Sequence, residues 1–168
     1  MDALEKTLTA SLLLAWWQQL GLAFLLGSFA VATLSDLKYL SAQREFLEVW
    51  LLFLLGVLSF EAYDLHAGRL DLVSFAIKWG LIALLSLLSL KRVGVLFQLT
   101  GGDVAALAAA ASLLPPVLIL ILYGIAKVGA WLAQRLVWPD RPYWPFMPVV
   151  SLATLAVLAL GLFWRAAD

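Results

Sequence analysis

The sequence predicts an all-α membrane protein of about six transmembrane helices, with a short fourth helix starting at a Gly-Gly-Asp motif. Three observations predict it. Hydrophobic residues make up 64% of the chain and mean hydropathy is +0.99, where ordinary soluble domains are ~45–50% apolar. Apolar runs suited to crossing a bilayer recur along its length, joined by connections too short to fold on their own. One run, after Gly101-Gly102-Asp103, is cut short by Pro115-Pro116. Residues 1–168 read as one membrane-embedded unit.

The first run extends from Ser11 to about Leu34, longer than the ~20 residues a crossing requires. It is too long, and its lead too weakly basic, for a cleaved signal peptide. Trp16 and Trp17 suit the headgroup level, and Gln18, Gln19, Gly21, Gly27 and Ser28 suit a helix packed on other helices. The run ends at Thr33-Leu-Ser-Asp-Leu-Lys38, where Asp36 and Lys38 are expected to meet water. Phe46 to Phe60 forms the second span, with Glu48 and Trp50 marking the interface. A loop from Glu61 to Asp71 follows. Leu72 to Leu90 is the third span, and Lys91-Arg92 a water-facing boundary.

Val104 to Leu114 covers only ~16 Å as helix, against a hydrocarbon core of ~30 Å. Either Val93 to Thr100 completes the crossing as irregular backbone, or this span is shallow. Both place Asp103 within the thickness of the membrane. Gly101 and Gly102 permit irregular backbone and close approach by an extended peptide. Val117 to about Val137 is the fifth span, the stretch 138–148 a proline- and aromatic-rich interfacial loop, and Val149 to Trp164 the last span. Loops 1–2, 3–4 and 5–6 then share one side carrying Lys38, Arg44, Lys91, Arg92, Arg135 and Arg141. The other side carries Lys6, Arg69 and Arg165. The excess marks the first side as cytoplasmic, with both termini outward.

Composition narrows the chemistry. Formal net charge is zero, so nothing points to nucleic acid. The absence of cysteine removes disulfides, thiolate zinc sites and thiol nucleophiles, and one histidine removes a His-rich metal cluster. No metal or cofactor is expected. Asp103 alone reads equally as a functional intramembrane carboxylate or as the cap of a helix N-terminus. Asp36, in a matching position at the end of another span and on the same face, favours function. Two neighbouring carboxylates share a proton, one serving as general base on water and the other as general acid toward a carbonyl.

These residues resemble a family, the type IV prepilin peptidases and archaeal preflagellin peptidases, which are GxGD-type intramembrane aspartic proteases. Ala32-Thr-Leu-Ser-Asp-Leu-Lys38 is similar to the family's first-helix motif. Gly101-Gly-Asp-Val-Ala-Ala-Leu-Ala-Ala, ending at Leu114-Pro115, is similar to its second motif and short helix. Pro145-Phe-Met-Pro148 is similar to its Pro-Phe-x-Pro. The order and the six-span plan agree along nearly the whole chain.

The resemblance implies a membrane-embedded aspartic endopeptidase with Asp36 and Asp103 catalytic. Lys38, Gly101, Gly102, Pro145 and Pro148 would support the site or bind substrate. The implied partners are prepilin-like or preflagellin-like precursors, cut on the cytoplasmic side of the cell membrane before their hydrophobic helix. The chain departs from the pattern in three ways. Thr100 stands where the motif has its first Gly, Arg44 is the nearest stand-in for a basic residue beyond Lys38, and the cysteine-rich domain linked to N-methylation is missing.

Other residues have plainer readings. Lys38 suits anionic headgroups. Tyr63-Asp64 resembles a presenilin-like Tyr-Asp pair but falls on the outer side. Asp64, His66 and Asp71 form a possible cation group in a solvated loop. Lys78 and Lys127 are structural, snorkelling or paired. Trp138, Tyr143 and Trp144 form an interfacial belt, and Pro142, Pro145 and Pro148 shape the mouth of the site. Two other classes of function use the same residues: an ion- or proton-coupled carrier binding its ion at Asp36 and Asp103, and a catalytically silent membrane scaffold.

Overall fold

The computed structural model describes residues 13–39, 44–137, 139 and 144–167. Six helices follow in order: α1 (Trp16–Tyr39), α2 (Arg44–His66), α3 (Leu72–Ser89), α4 (Gly101–Ser112), α5 (Pro116–Leu136) and α6 (Met147–Ala167). All but α4 are long and apolar enough to cross a membrane, and no strand occurs among the described residues. This is an all-α membrane protein.

The short helix is the centre of the bundle. Every residue of α4 from Val104 to Ser112 is buried, and α1, α2, α3, α5 and α6 all pack against it. The alanine run explains this placement. Small side chains let surrounding backbones approach closely, which is how helices associate where lipid and protein are equally apolar. Where α4 ends, Leu113 fits so closely beneath α1 that a Cβ on Gly21 would lie 2.7 Å from its Cδ1. Pro115 and Pro116 then start α5, with Pro116 at the first helical position, where a missing N–H costs nothing.

Between α3 and α4 the chain doubles back on the end of α3. Leu99 donates to Ser89 O, Lys91 to Leu99 O and Leu96 to Leu88 O, each at 3.0 Å. Gly94 takes the positive φ of +62° that the turn requires. The segment therefore pairs its backbone with the end of α3, and α4 begins beside that end.

Several expected boundaries move. α1 runs five residues past Leu34, and Asp36 is buried inside the bundle rather than meeting water. The buried stripe Leu22, Leu25, Phe29, Ala32, Asp36 shows why, since its spacing of three and four residues keeps Asp36 on the core face. α2 continues to His66, taking Glu61, Tyr63 and Asp64 out of the expected loop. Glu61 is tolerated there because buried Lys78 pairs with it and the Trp79 indole donates to its other oxygen at 2.9 Å. Trp50, expected at the interface, is fully buried; its indole donates to Ser28 Oγ at 3.0 Å and its ring lies against Phe29 and Phe46. Lys127 donates to the Leu96 carbonyl.

Candidate functional site

The C-terminal turn of α1, the N-terminus of α4 and the N-terminus of α6 converge at one end of the bundle. Two side-chain hydrogen bonds tie α1 to α6. Thr33 Oγ1 and Ser151 Oγ lie 2.9 Å apart, and one turn further along α1 the Met147 N–H donates to Asp36 Oδ2 at 3.0 Å. The proline pattern selects that donor. Pro145 and Pro148 have no N–H, so within Pro145–Pro148 only the Phe146 and Met147 amides are able to face a carboxylate. Asp36 is 5% exposed, and this amide at a helix N-terminus offsets part of the cost of burying it.

Asp103 sits in the first turn of α4, half-buried. Its Oδ2 accepts from the Thr100 hydroxyl at 2.7 Å and from the Thr100 N–H at 3.3 Å. Thr100 is the N-cap of α4, so the residue in place of the motif's first Gly is the one that holds the carboxylate. Among the described residues nothing donates to the other oxygen, Oδ1. α4 is too short to span a membrane. Burial is the main cause that pushes the Asp103 carboxyl up to about 6; the Thr100 hydroxyl pulls it down and the nearby Asp36 charge raises it. Asp36, far away in the chain, therefore lies near enough to raise the Asp103 carboxyl.

The supporting residues are placed as follows. Gly101 and Gly102 are the first residues of α4 and helical, so the short helix starts at the Gly-Gly-Asp motif as the sequence predicts, with Thr100 as its N-cap. Gly101 is exposed, with open space where a Cβ would stand. Lys38 is exposed in the last turn of α1, Pro145 is buried, and Pro148 is half-buried as the second residue of α6. Trp138, Arg141, Pro142 and Tyr143 lie outside the described residues.

The loop after α2 forms no shared site with these. Asp64 pairs with Arg69 at 3.5 Å, Asp71 caps α3 by accepting from the Ser74 N–H at 3.0 Å, and no group of three metal-type side chains forms among the described residues. Sequence reasoning missed three contributors: the Thr100 hydroxyl, the Met147 amide, and the edge-on contact at 5.5 Å between Phe97 and Phe146, the residue before Met147. For Thr100 the signal was present, since Thr-Gly-Gly-Asp has the spacing of a capping box.

The arrangement holds one oxygen of each carboxylate with a fixed donor. Asp103 Oδ1 is left to share a proton or to hold a water. Chemically this suits general acid/base work by two neighbouring carboxylates. No protein-family model, curated protein or solved structure matches this chain.

Proposed function

We propose that the protein is a membrane-embedded aspartic endopeptidase that cleaves class III signal peptides of prepilin or archaellin type at the cytoplasmic boundary of the cell membrane. The observation that carries this reading is the pair itself: Asp36 from the end of α1 and Asp103 from the start of α4, brought to one end of the bundle and each held through one oxygen by a fixed donor. In the mechanism that follows, one carboxylate takes a proton from water as it attacks the scissile carbonyl. The other, protonated, donates to the carbonyl oxygen; as the C–N bond breaks, the first passes the proton it took from water to the leaving amine, and the second regains its own from the hydroxyl of the collapsing intermediate. The resemblance of the three motifs to prepilin and preflagellin peptidases supplies the substrate class. The excess of basic residues on the side of loops 1–2, 3–4 and 5–6 supplies the orientation.

One observation favours a second reading. Asp36 and Asp103 each accept hydrogen bonds at a helix N-terminus, which is the work of a structural aspartate in a silent scaffold. Asparagine separates the two, because it caps a helix about as well as aspartate yet cannot transfer a proton. The test is cleavage of a precursor bearing such a signal peptide by the purified protein in lipid, beside Asp36→Asn and Asp103→Asn. The peptidase reading expects cleavage by the wild type and none by either variant, with thermal stability kept. Cleavage by both variants at the wild-type rate, or by none of the three while all stay folded, would overturn the peptidase reading.

A further inference from the structure

Lys127 is a charge inside a candidate span, the twelfth residue of α5. Such a cation is costly in a bilayer and is normally retained for a purpose. Among the described residues no carboxylate pairs with it. Its ammonium instead donates to the Leu96 carbonyl and stands 5.1 Å from the centroid of the Phe97 ring, a cation–π distance. α5 starts where α4 stops and runs back beside it. Eleven residues of α5 rise about 16 Å, which brings Lys127 level with the start of α4.

What Lys127 holds connects both carboxylates. Phe97 is buried and meets buried Phe146 edge-on. Phe146 precedes Met147, whose amide is fixed on Asp36. In the other direction Phe97 lies three residues before Thr100, whose hydroxyl is fixed on Asp103. Leu96–Phe97 is thus the piece of chain from which each carboxylate is reached through one packed contact or one short stretch of backbone. Lys127 fastens its outer side through the Leu96 carbonyl and the Phe97 ring.

We propose that Lys127 is a positioning residue: by clamping Leu96–Phe97 against Phe146 it fixes the separation of Asp36 and Asp103. Its consequence for cleavage rests on the peptidase reading above; the clamp itself does not.

The test uses two substitutions and two readouts. Lys127→Met keeps the long apolar stem and removes the charge, whereas Lys127→Arg keeps a cation able to reach a carbonyl and a ring. The chain has no cysteine, so spin labels on Gln98→Cys and Leu152→Cys, both exposed positions, report the spacing of the loop and α6. The label distance is expected to be narrow in the Lys127 and Arg forms and broadened or displaced in the Met form. Cleavage is expected to lose roughly 10–100-fold in kcat in the Met form, on the scale of an ångström's misplacement of catalytic groups. KM should stay nearly constant, and the Arg form should recover most of kcat. An unchanged distance in the Met form overturns the clamp. A loss confined to KM, or a loss that Arg does not restore and that tracks thermal stability, overturns the positioning role. If the wild type cleaves no precursor, the peptidase reading fails while the label distance still decides the clamp.

Discussion

Replacing Thr100 by Val removes one oxygen and leaves the shape of the side chain nearly intact, so it isolates the hydroxyl at 2.7 Å from Asp103 Oδ2. A hydrogen bond to a charged group contributes roughly 1.5–3 kcal/mol, and one pKa unit corresponds to ~1.4 kcal/mol. Losing the donor disfavours the ionised form, so the Asp103 carboxyl rises by roughly one to two units from about 6. The direction for activity follows. The dyad needs one proton, and kcat/KM falls as the last proton leaves on raising the pH through about 6. In the Val variant that alkaline limb moves up by the same one to two units, while Ser at this position, which keeps the donor, leaves it in place. Lost capping also costs about 1 kcal/mol of stability, which a melting curve in detergent reads independently. The assay is the pH dependence of precursor cleavage for the three proteins. A limb that stays put in the Val variant, or moves equally in the Ser variant, refutes the reasoning.

The buried pair Glu61–Lys78 gives a second expectation. Lys78→Met alone leaves a carboxylate unpaired within the bundle and should cost about 3–5 kcal/mol, whereas adding Glu61→Gln should recover much of the loss; unfolding in mixed micelles measures both. Thr154 is fully buried, with no hydrogen-bond partner for its hydroxyl among the described residues. Thr154→Val should therefore stabilise the protein by about 1 kcal/mol, seen as a raised Tm without a change in any catalytic property.

Much of the fold was legible because its cause is short-range. Runs of apolar residues and the proline pair define five long helices and one short one whatever the tertiary contacts are. The sequence misleads where a charged or amphipathic residue has its partner elsewhere in the chain. Glu61 reads as the end of a span until Lys78 is known to face it, and Trp50 reads as interfacial until Ser28 is known to accept from its indole. Asp36 reads as a water-facing end because charge outweighs pattern on inspection, although the stripe from Leu22 through Ala32 already placed it on the buried face. The site divides in the same way. Its two carboxylates stood out as charges at the ends of apolar runs, and the cap at Thr100 was written in local spacing. The Met147 amide and the Lys127–Phe97–Phe146 stack depend on how α5 and α6 return to the site, which no local pattern encodes.

The shortness of α4 also shapes the molecule as an inclusion in lipid. α4 stops after about 18 Å and α5 begins beside its end. The returning α5 brings Lys127 to Leu96, just before α4, so α4 and α5 add bulk mainly to the half of the bundle that holds the two aspartates. In lipid that distribution is expected to make a wedge, wider in the leaflet that holds the site. A wedge relieves packing stress where its broad end lies in the expanded leaflet of a bent membrane. Reconstituted into vesicles of mixed diameter, the protein is expected to sort by curvature, and to do so whether or not Asp36 and Asp103 cut anything.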